Sequence, residues 1–282
     1  MREWTLPCTP SRDSSSSTDT NSSSVCLLVD HRDGFDKRGA VLKADMRDVQ
    51  RRLFRFARTL WGRDFLAEPE IDCPHVRLGS EYGGWYVRPD WITSDSVVMS
   101  VGVGSDVTFD LEMIERFGCT VHAFDSTPKS VEWVRAQRLP REFRFHEFGM
   151  AGHDGDMLFA LPGEHPDWDC YVATAPDADV AQSAAHAVRC QVRRLVTLVN
   201  RIGASRVDLL KMDIEGSEYD VIADMLAGEI RPRQLLVEYH YRHQFSGDIA
   251  RTSKSLASLR RAGYRIFARS PSGLEFSMCR EP

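Results

Sequence analysis

From residue 91 to the C-terminus, short apolar runs alternate with segments whose apolar residues recur at helical spacing, and few folds satisfy that alternation. Val97, Val98, Met99, Ser100 and Val101 make a nearly continuous apolar run, expected of a strand covered on both faces. Helical spacing over 109–117, a strand over 120–124, a helix over 130–138 and an alternating strand over 143–148 follow. Residues 188–195 read as a short strand leading into a helix that runs to Ile202. A buried strand over 207–212 precedes a helix over 218–226, with Ser217 as its expected cap and Asp220 at the third helical position. After a strand over 235–239 and a helix over 253–262, the chain closes with runs at 264–269 and 274–279 joined by Ser270, Pro271, Ser272 and Gly273, a hairpin signal. The expected fold is α/β, a doubly wound Rossmann-like sheet. The hairpin cannot extend it in parallel fashion, so an antiparallel edge strand is predicted.

Ahead of this block, Ser, Thr, Asp and Pro dominate the first residues, and 1–40 is expected to be a poorly ordered tail. Met46, Val49, Leu53, Phe54, Phe56, Ala57 and Leu60 recur at helical spacing, predicting an amphipathic helix over 43–61 closed by Gly62. The chain thus divides into the tail 1–40, a helical extension with a lead-in loop over 41–90, and a catalytic domain over 91–282. A formal net charge of −5 argues against a nucleic-acid partner, which needs clustered excess Lys and Arg. The 7 cysteines include no CxxC pair, so neither a structural zinc site nor a disulfide framework is suggested. No apolar run reaches the ~18 residues that span a bilayer, and the N-terminus lacks the apolar core of a signal peptide. The expectation is a cytoplasmic protein with no membrane partner; the N-terminal helix leaves self-association into a homo-oligomer open.

In an open parallel sheet, ligands sit beyond the carboxyl ends of the strands. The first strand runs into GVGSD over 102–106, where Gly102 and Gly104 permit a tight turn and close backbone approach. A dinucleotide turn wants a third glycine, and Val107 stands there. Asp106 would repel phosphates and suits a cationic or zwitterionic ligand. Asp125 ends the second strand ~20 residues later, where a carboxylate accepts from ribose hydroxyls. Glycine turn, carboxylate and closing hairpin together favour S-adenosylmethionine as the cofactor over a nicotinamide dinucleotide. Tyr82, in the lead-in loop, and Ser126, beside Asp125, join the candidate cofactor-binding residues.

The segment DLLKMDIEGSE over 208–218 ends its strand in carboxylates, and Glu238 and His240 share a face at the next strand end. Asp213, Glu215 and His240 are the candidate catalytic residues: an alcohol is a poor nucleophile until its proton is being removed, and His240 suits a general base. Asp213, Glu238 and His240 form an alternative divalent-metal set, not favoured, because His240 and His243 are not on a helix that would align them as ligands.

The string DLLKMDIEGSEY over 208–219 closely resembles the hallmark of FkbM-type S-adenosylmethionine-dependent methyltransferases. SVGVGSD over 100–106, VHAFD over 121–125 with Thr127 and Pro128, LGSEYGGW over 78–85 and VEYH over 237–240 resemble further parts of one branch of that family. The likeness covers roughly 75–282. It implies a class I methyltransferase fold, cofactor contacts around Gly102, Gly104 and Asp125, and methyl transfer to an oxygen of a small molecule or sugar. Ser100 stands where many such enzymes carry an acid that handles the methionine end of the cofactor, so Asp106 or Asp213 becomes the candidate for that contact. The expected function is O-methylation of a hydroxylated small-molecule acceptor. A nicotinamide-dependent oxidoreductase and a non-catalytic cofactor-binding protein are the alternatives. A loop over 161–176, carrying Trp168, is long enough to be a lid.

Overall fold

The computed structural model describes Thr59, Asp64 and residues 67–160, 172–173, 187–241 and 249–281. The expected tail, the helix over 43–61 apart from Thr59, and the lid loop over 161–176 apart from Val172 and Ala173 lie outside these residues. Thr59, the described residue of the expected helix, is helical, and the lead-in loop carries a hairpin. Strands β1 (Val76–Leu78) and β2 (Trp85–Val87) pair antiparallel across the glycine-rich lead-in loop, and a 3-10 turn, Pro89–Trp91, follows.

The alternating elements then come in the expected order. They are β3 (Val97–Val101), α1 (Thr108–Phe117), β4 (Thr120–Phe124), α2 (Pro128–Ala136) and β5 (Phe143–His146). Four strands and a helix intervene: β6 (Gly149–Met150), β7 (Gly155–Ala160), β8 (Val172–Ala173), β9 (Ala187–Arg193) and α3 (Leu195–Arg201). The chain closes with β10 (Leu209–Met212), α4 (Glu218–Ala227), β11 (Gln234–Glu238), α5 (Ile249–Arg261), β12 (Tyr264–Arg269) and β13 (Glu275–Arg280).

Seven strands form one sheet in the order β12-β13-β11-β10-β3-β4-β5. Pairings from β11 through β5 are parallel, while β13 runs antiparallel to both β11 and β12. The predicted antiparallel edge strand is therefore corrected. The antiparallel member is β13, one place in from the edge, and the edge strand β12 runs with the parallel set. The reason is buried area: the hairpin folds back so that Phe276 and Met278, both fully covered, enter the core between two strands instead of resting on a rim. The sheet switches direction between β3 and β10, and a ligand crevice belongs there.

Both faces are covered, which explains the continuous apolar strands. The β1–β2 hairpin, α1 and α2 lie on one face, through Leu78, Trp85, Phe109, Met113 and Val134. On the other, α3, α4 and α5 bury Leu198, Ile222, Leu256 and Leu259 against Met99, Leu210 and Leu235. The four intervening strands make a second sheet, β6-β9-β7-β8. Ser217 does not cap α4: its Oγ faces Met157 Sδ at 3.6 Å. Glu218 reaches back instead, and its Oε1 accepts from the Gly216 N–H at 3.1 Å.

On β4 and β5, the rings of His122 and His146 stack with centroids 5.4 Å apart, and Nδ1 of one lies 3.1 Å from Nε2 of the other. Burial, then repulsion from His146 and Arg144, pushes His122 down to about 4, and burial lowers His146 as well. Between pH 6.5 and 4 the unfolded chain therefore binds more protons than the folded one, so the pair's contribution is present above 6.5 and lost as pH falls. His122→Gln, which cannot titrate, is expected to lose about 1 kcal/mol less stability than the parent between pH 7 and 4.5, a figure discounted for partial exposure. Denaturant melts at the two pH values check this; equal losses would show that the pair does not carry the effect.

Candidate active site

One cavity of about 590 Å³ opens at the carboxyl ends of β3, β4, β10 and β11. Every candidate named from the sequence lines it: Tyr82, Gly102, Gly104, Asp106, Asp125, Ser126, Asp213, Glu215, Glu238 and His240 all border this one space. Ser100 and Glu218 lie behind the wall, both fully buried.

The glycine turn is held from three sides. The Gly102 N–H donates to the Phe124 carbonyl at 3.0 Å, and the Asp213 N–H donates to the Val101 carbonyl at 3.0 Å, so the turn is pinned between the ends of β4 and β10. Gly102 has φ +81, and a Cβ there would lie 1.6 Å from the Asp213 carbonyl oxygen. Gly104 has φ +57 and nothing within 4 Å of a Cβ position. The two glycines thus answer different needs: Gly102 lets two strand ends meet, and Gly104 leaves open space on the cavity side.

Asp125 braces this turn. Its Oδ2 accepts from the N–H groups of Val103 and Gly104 at 3.0 and 3.1 Å, and its Oδ1 accepts from the Thr127 N–H and hydroxyl at 2.9 and 2.7 Å. Those four bonds occupy the four acceptor positions of a carboxylate, so a ligand hydroxyl must share or displace one. Asp106 is similarly engaged: Oδ2 accepts from Ser80 Oγ at 2.6 Å, and Oδ1 accepts from the N–H and hydroxyl of Thr108 at 2.8 and 2.6 Å. Ser80 N–H also donates to Thr108 Oγ1, and Gly79 N–H to Glu112 Oε2. Asp106 therefore ties the lead-in loop to the start of α1. That loop carries Tyr82, which borders the cavity while 93% exposed.

The acidic strand ends converge on His240. Nδ1 lies 2.7 Å from Glu218 Oε1, and Nε2 faces Glu215 Oε2 at 3.2 Å, Asp213 Oδ1 at 3.6 Å and Glu238 Oε1 at 4.0 Å. Burial alone would depress the imidazole, but Glu218, Glu215 and Asp213 outweigh it and hold His240 well above its ordinary value. Burial raises the carboxyls of Asp213 and Glu238, the latter strongly with Asp213 adding repulsion. Glu215 supports this geometry with a left-handed backbone, φ 52, which costs a non-glycine residue on the order of 1 kcal/mol. Asp213, Glu238 and His240 each offer a ligand atom within 4.8 Å of the others, so the alternative metal set is also brought together.

A family model for the methyltransferase FkbM domain matches residues 96–266, well over half of the chain. The chain belongs to the FkbM methyltransferase family. Human "Probable methyltransferase-like protein 24" is 28% identical over 144 residues, covering 50% of this chain and 31% of that protein. Its counterpart in Rattus norvegicus is 26% identical over 151 residues, 52% of this chain and 34% of the relative. The AMB antimetabolite synthetase AmbE of Pseudomonas aeruginosa is 34% identical over 93 residues, 32% of this chain and 4% of the synthetase. The matches thus span about a third or less of each relative's own length. No solved structure matches.

Within this FkbM domain, two cavity residues were not legible as site residues. Lys211 lines the cavity, donates from Nζ to the Gly102 carbonyl at 2.7 Å and lies 5.7 Å from the Trp85 ring centroid. Asp110 lines it from α1, beside Phe109 and Met113 on the buried stripe of that helix. A charged residue in an apolar stripe was the available signal.

Proposed function

We propose that this FkbM domain is an S-adenosylmethionine-dependent methyltransferase that methylates a hydroxyl of a small, sugar-like acceptor. The observation that carries the reading is the junction of an open glycine turn and a carboxylate–histidine cluster in one cavity at the sheet's switch point. The residues present suit the donor. Gly104 leaves a cradle that a Cβ would fill, Tyr82 and Trp133 offer aromatic faces, and carboxylates line the wall where a sulfonium and an ammonium need counter-charge. Gly102, Gly104, Asp125, Ser126 and Tyr82 would hold it. When bound, it supplies an electrophilic methyl group.

The chain's own task is to place the acceptor oxygen in line and take its proton. His240, held as a cation by Glu218 and its neighbours, is a positioning and charge-balancing group in this reading. The proton goes to Glu238 or Asp213, whose carboxyls burial raises above the ordinary range and so makes more basic. An imidazolium carries a proton on both ring nitrogens and offers a metal no lone pair, so turnover without a metal is the favoured route.

Calorimetry with S-adenosylhomocysteine in the presence of EDTA is expected to show saturable 1:1 binding. A panel of hydroxylated acceptors with S-adenosylmethionine is then expected to release S-adenosylhomocysteine. An absence of binding heat together with an absence of thermal shift would overturn the reading, and turnover lost to EDTA would restore the metal set.

A further inference from the structure

The cavity wall holds a carboxylate that the arrangement above does not use. Asp110, on the first turn of α1, is 2% exposed, and its Oδ1 has no hydrogen-bond partner among the described residues. The Ser100 hydroxyl beside it is also buried, close enough to pull on the carboxyl but outside the geometry of a full hydrogen bond. Lys211 is near enough to temper the charge, but its ammonium goes to the Gly102 carbonyl and closes no ion pair with Asp110. Burial drives the Asp110 carboxyl up to about 6 against the pull of Lys211 and Ser100. Leaving a carboxylate dry and unanswered is costly, and such groups persist where a ligand completes them.

The other acids around the turn are already engaged. Asp106 has both oxygens on Ser80 and Thr108 and Asp125 has both on Val103, Gly104 and Thr127, while Asp213, 3.6 Å from the His240 imidazole and a third exposed, serves that ring's charge. Asp110 lines the cavity as a buried carboxylate with an acceptor oxygen that no described residue fills.

Resting on the reading of the cavity as an S-adenosylmethionine site, we propose that Asp110 receives the α-ammonium group of the donor's methionine end. Lys211, across the same pocket floor, supplies the positive charge near which the α-carboxylate rests. The sequence reading gave this contact to Asp106 or Asp213; the structure assigns it to Asp110, in the first turn of α1. With Ser100 short and uncharged at the strand end, the acid is supplied from the helix.

Three ligands separate this from the broader reading: S-adenosylhomocysteine, its analogue lacking only the α-amino group, and 5′-methylthioadenosine, which lacks the whole amino-acid end. The parent protein is expected to bind the deaminated analogue about tenfold to a hundredfold more weakly than S-adenosylhomocysteine. Asp110→Asn is expected to weaken S-adenosylhomocysteine by a similar factor and to leave 5′-methylthioadenosine within about twofold. The same variant should raise the melting temperature of the ligand-free protein by a few degrees, because it removes an unanswered buried charge. Equal parent affinity for S-adenosylhomocysteine and its deaminated analogue would overturn the Asp110 assignment, whether or not the variant folds. Equal losses for all three ligands in the variant would overturn it too. Binding of none of the three by the parent would instead remove the cofactor reading itself.

Discussion

Gly102→Ala is expected to give no soluble folded protein, whereas Gly104→Ala is expected to fold and lose affinity for the cofactor. Both residues have positive φ, so alanine costs each on the order of 1 kcal/mol in backbone strain. The difference lies in what a methyl group meets. At Gly102 it would lie 1.6 Å from the Asp213 carbonyl oxygen, about half the distance two such atoms tolerate. Relieving that overlap means pulling β3 and β10 apart at the centre of the sheet, where Asp213 N–H bonds the Val101 carbonyl. That disruption is comparable to the whole stability of a domain, about 5–15 kcal/mol. At Gly104 the methyl meets no protein atom within 4 Å and intrudes only on the cavity. Soluble yield, circular dichroism and S-adenosylhomocysteine calorimetry on the two variants read this out. A well-folded Gly102→Ala, or a Gly104→Ala that binds like the parent, would show the roles of the two glycines to be misassigned.

The second large effect is expected at His240. His240→Gln should lose about 3–5 kcal/mol of stability, the usual consequence of removing one partner from a buried charge pair. Glu218 is fully buried, and without the imidazolium it keeps only the Gly216 N–H on Oε1. Asp213, Glu215 and Glu238 would then repel one another with only Lys211, near Asp213, left to offset the charge. Turnover is expected to fall by orders of magnitude because the base loses its alignment. Affinity for S-adenosylhomocysteine should change only a few-fold, since the glycine turn is untouched. The double variant His240→Gln with Glu218→Gln should recover part of the stability by removing the stranded carboxylate, and no recovery would argue against this charge balance. Denaturant titrations of the three proteins make the comparison.

The sequence by itself determined the layered fold, because period and burial are local properties. Continuous apolar runs such as 97–101 can only be strands covered on both faces, and GVGSD after such a run can only turn at a strand's carboxyl end. It also determined which residues gather at the cavity, since ends of parallel strands on either side of a switch point are neighbours wherever the helices run. The role of each residue was beyond its reach. Asp106 and Asp125 read purely as ligand contacts because a carboxylate at a strand end has free oxygens in a one-dimensional view; tertiary packing brings Ser80, Thr108 and Thr127 to them, so both also brace the loops around the cavity. His240 read as a base from its ordinary titration range, and only the convergence of four carboxylates from two strand ends and α4 turns it into a cation. Asp110 stayed hidden in an apolar stripe until α1 docked on β3 and left its carboxylate dry. Hydrogen-bond capacity and charge depend on what long-range contacts bring within a few ångströms, so the tertiary structure alone decided them.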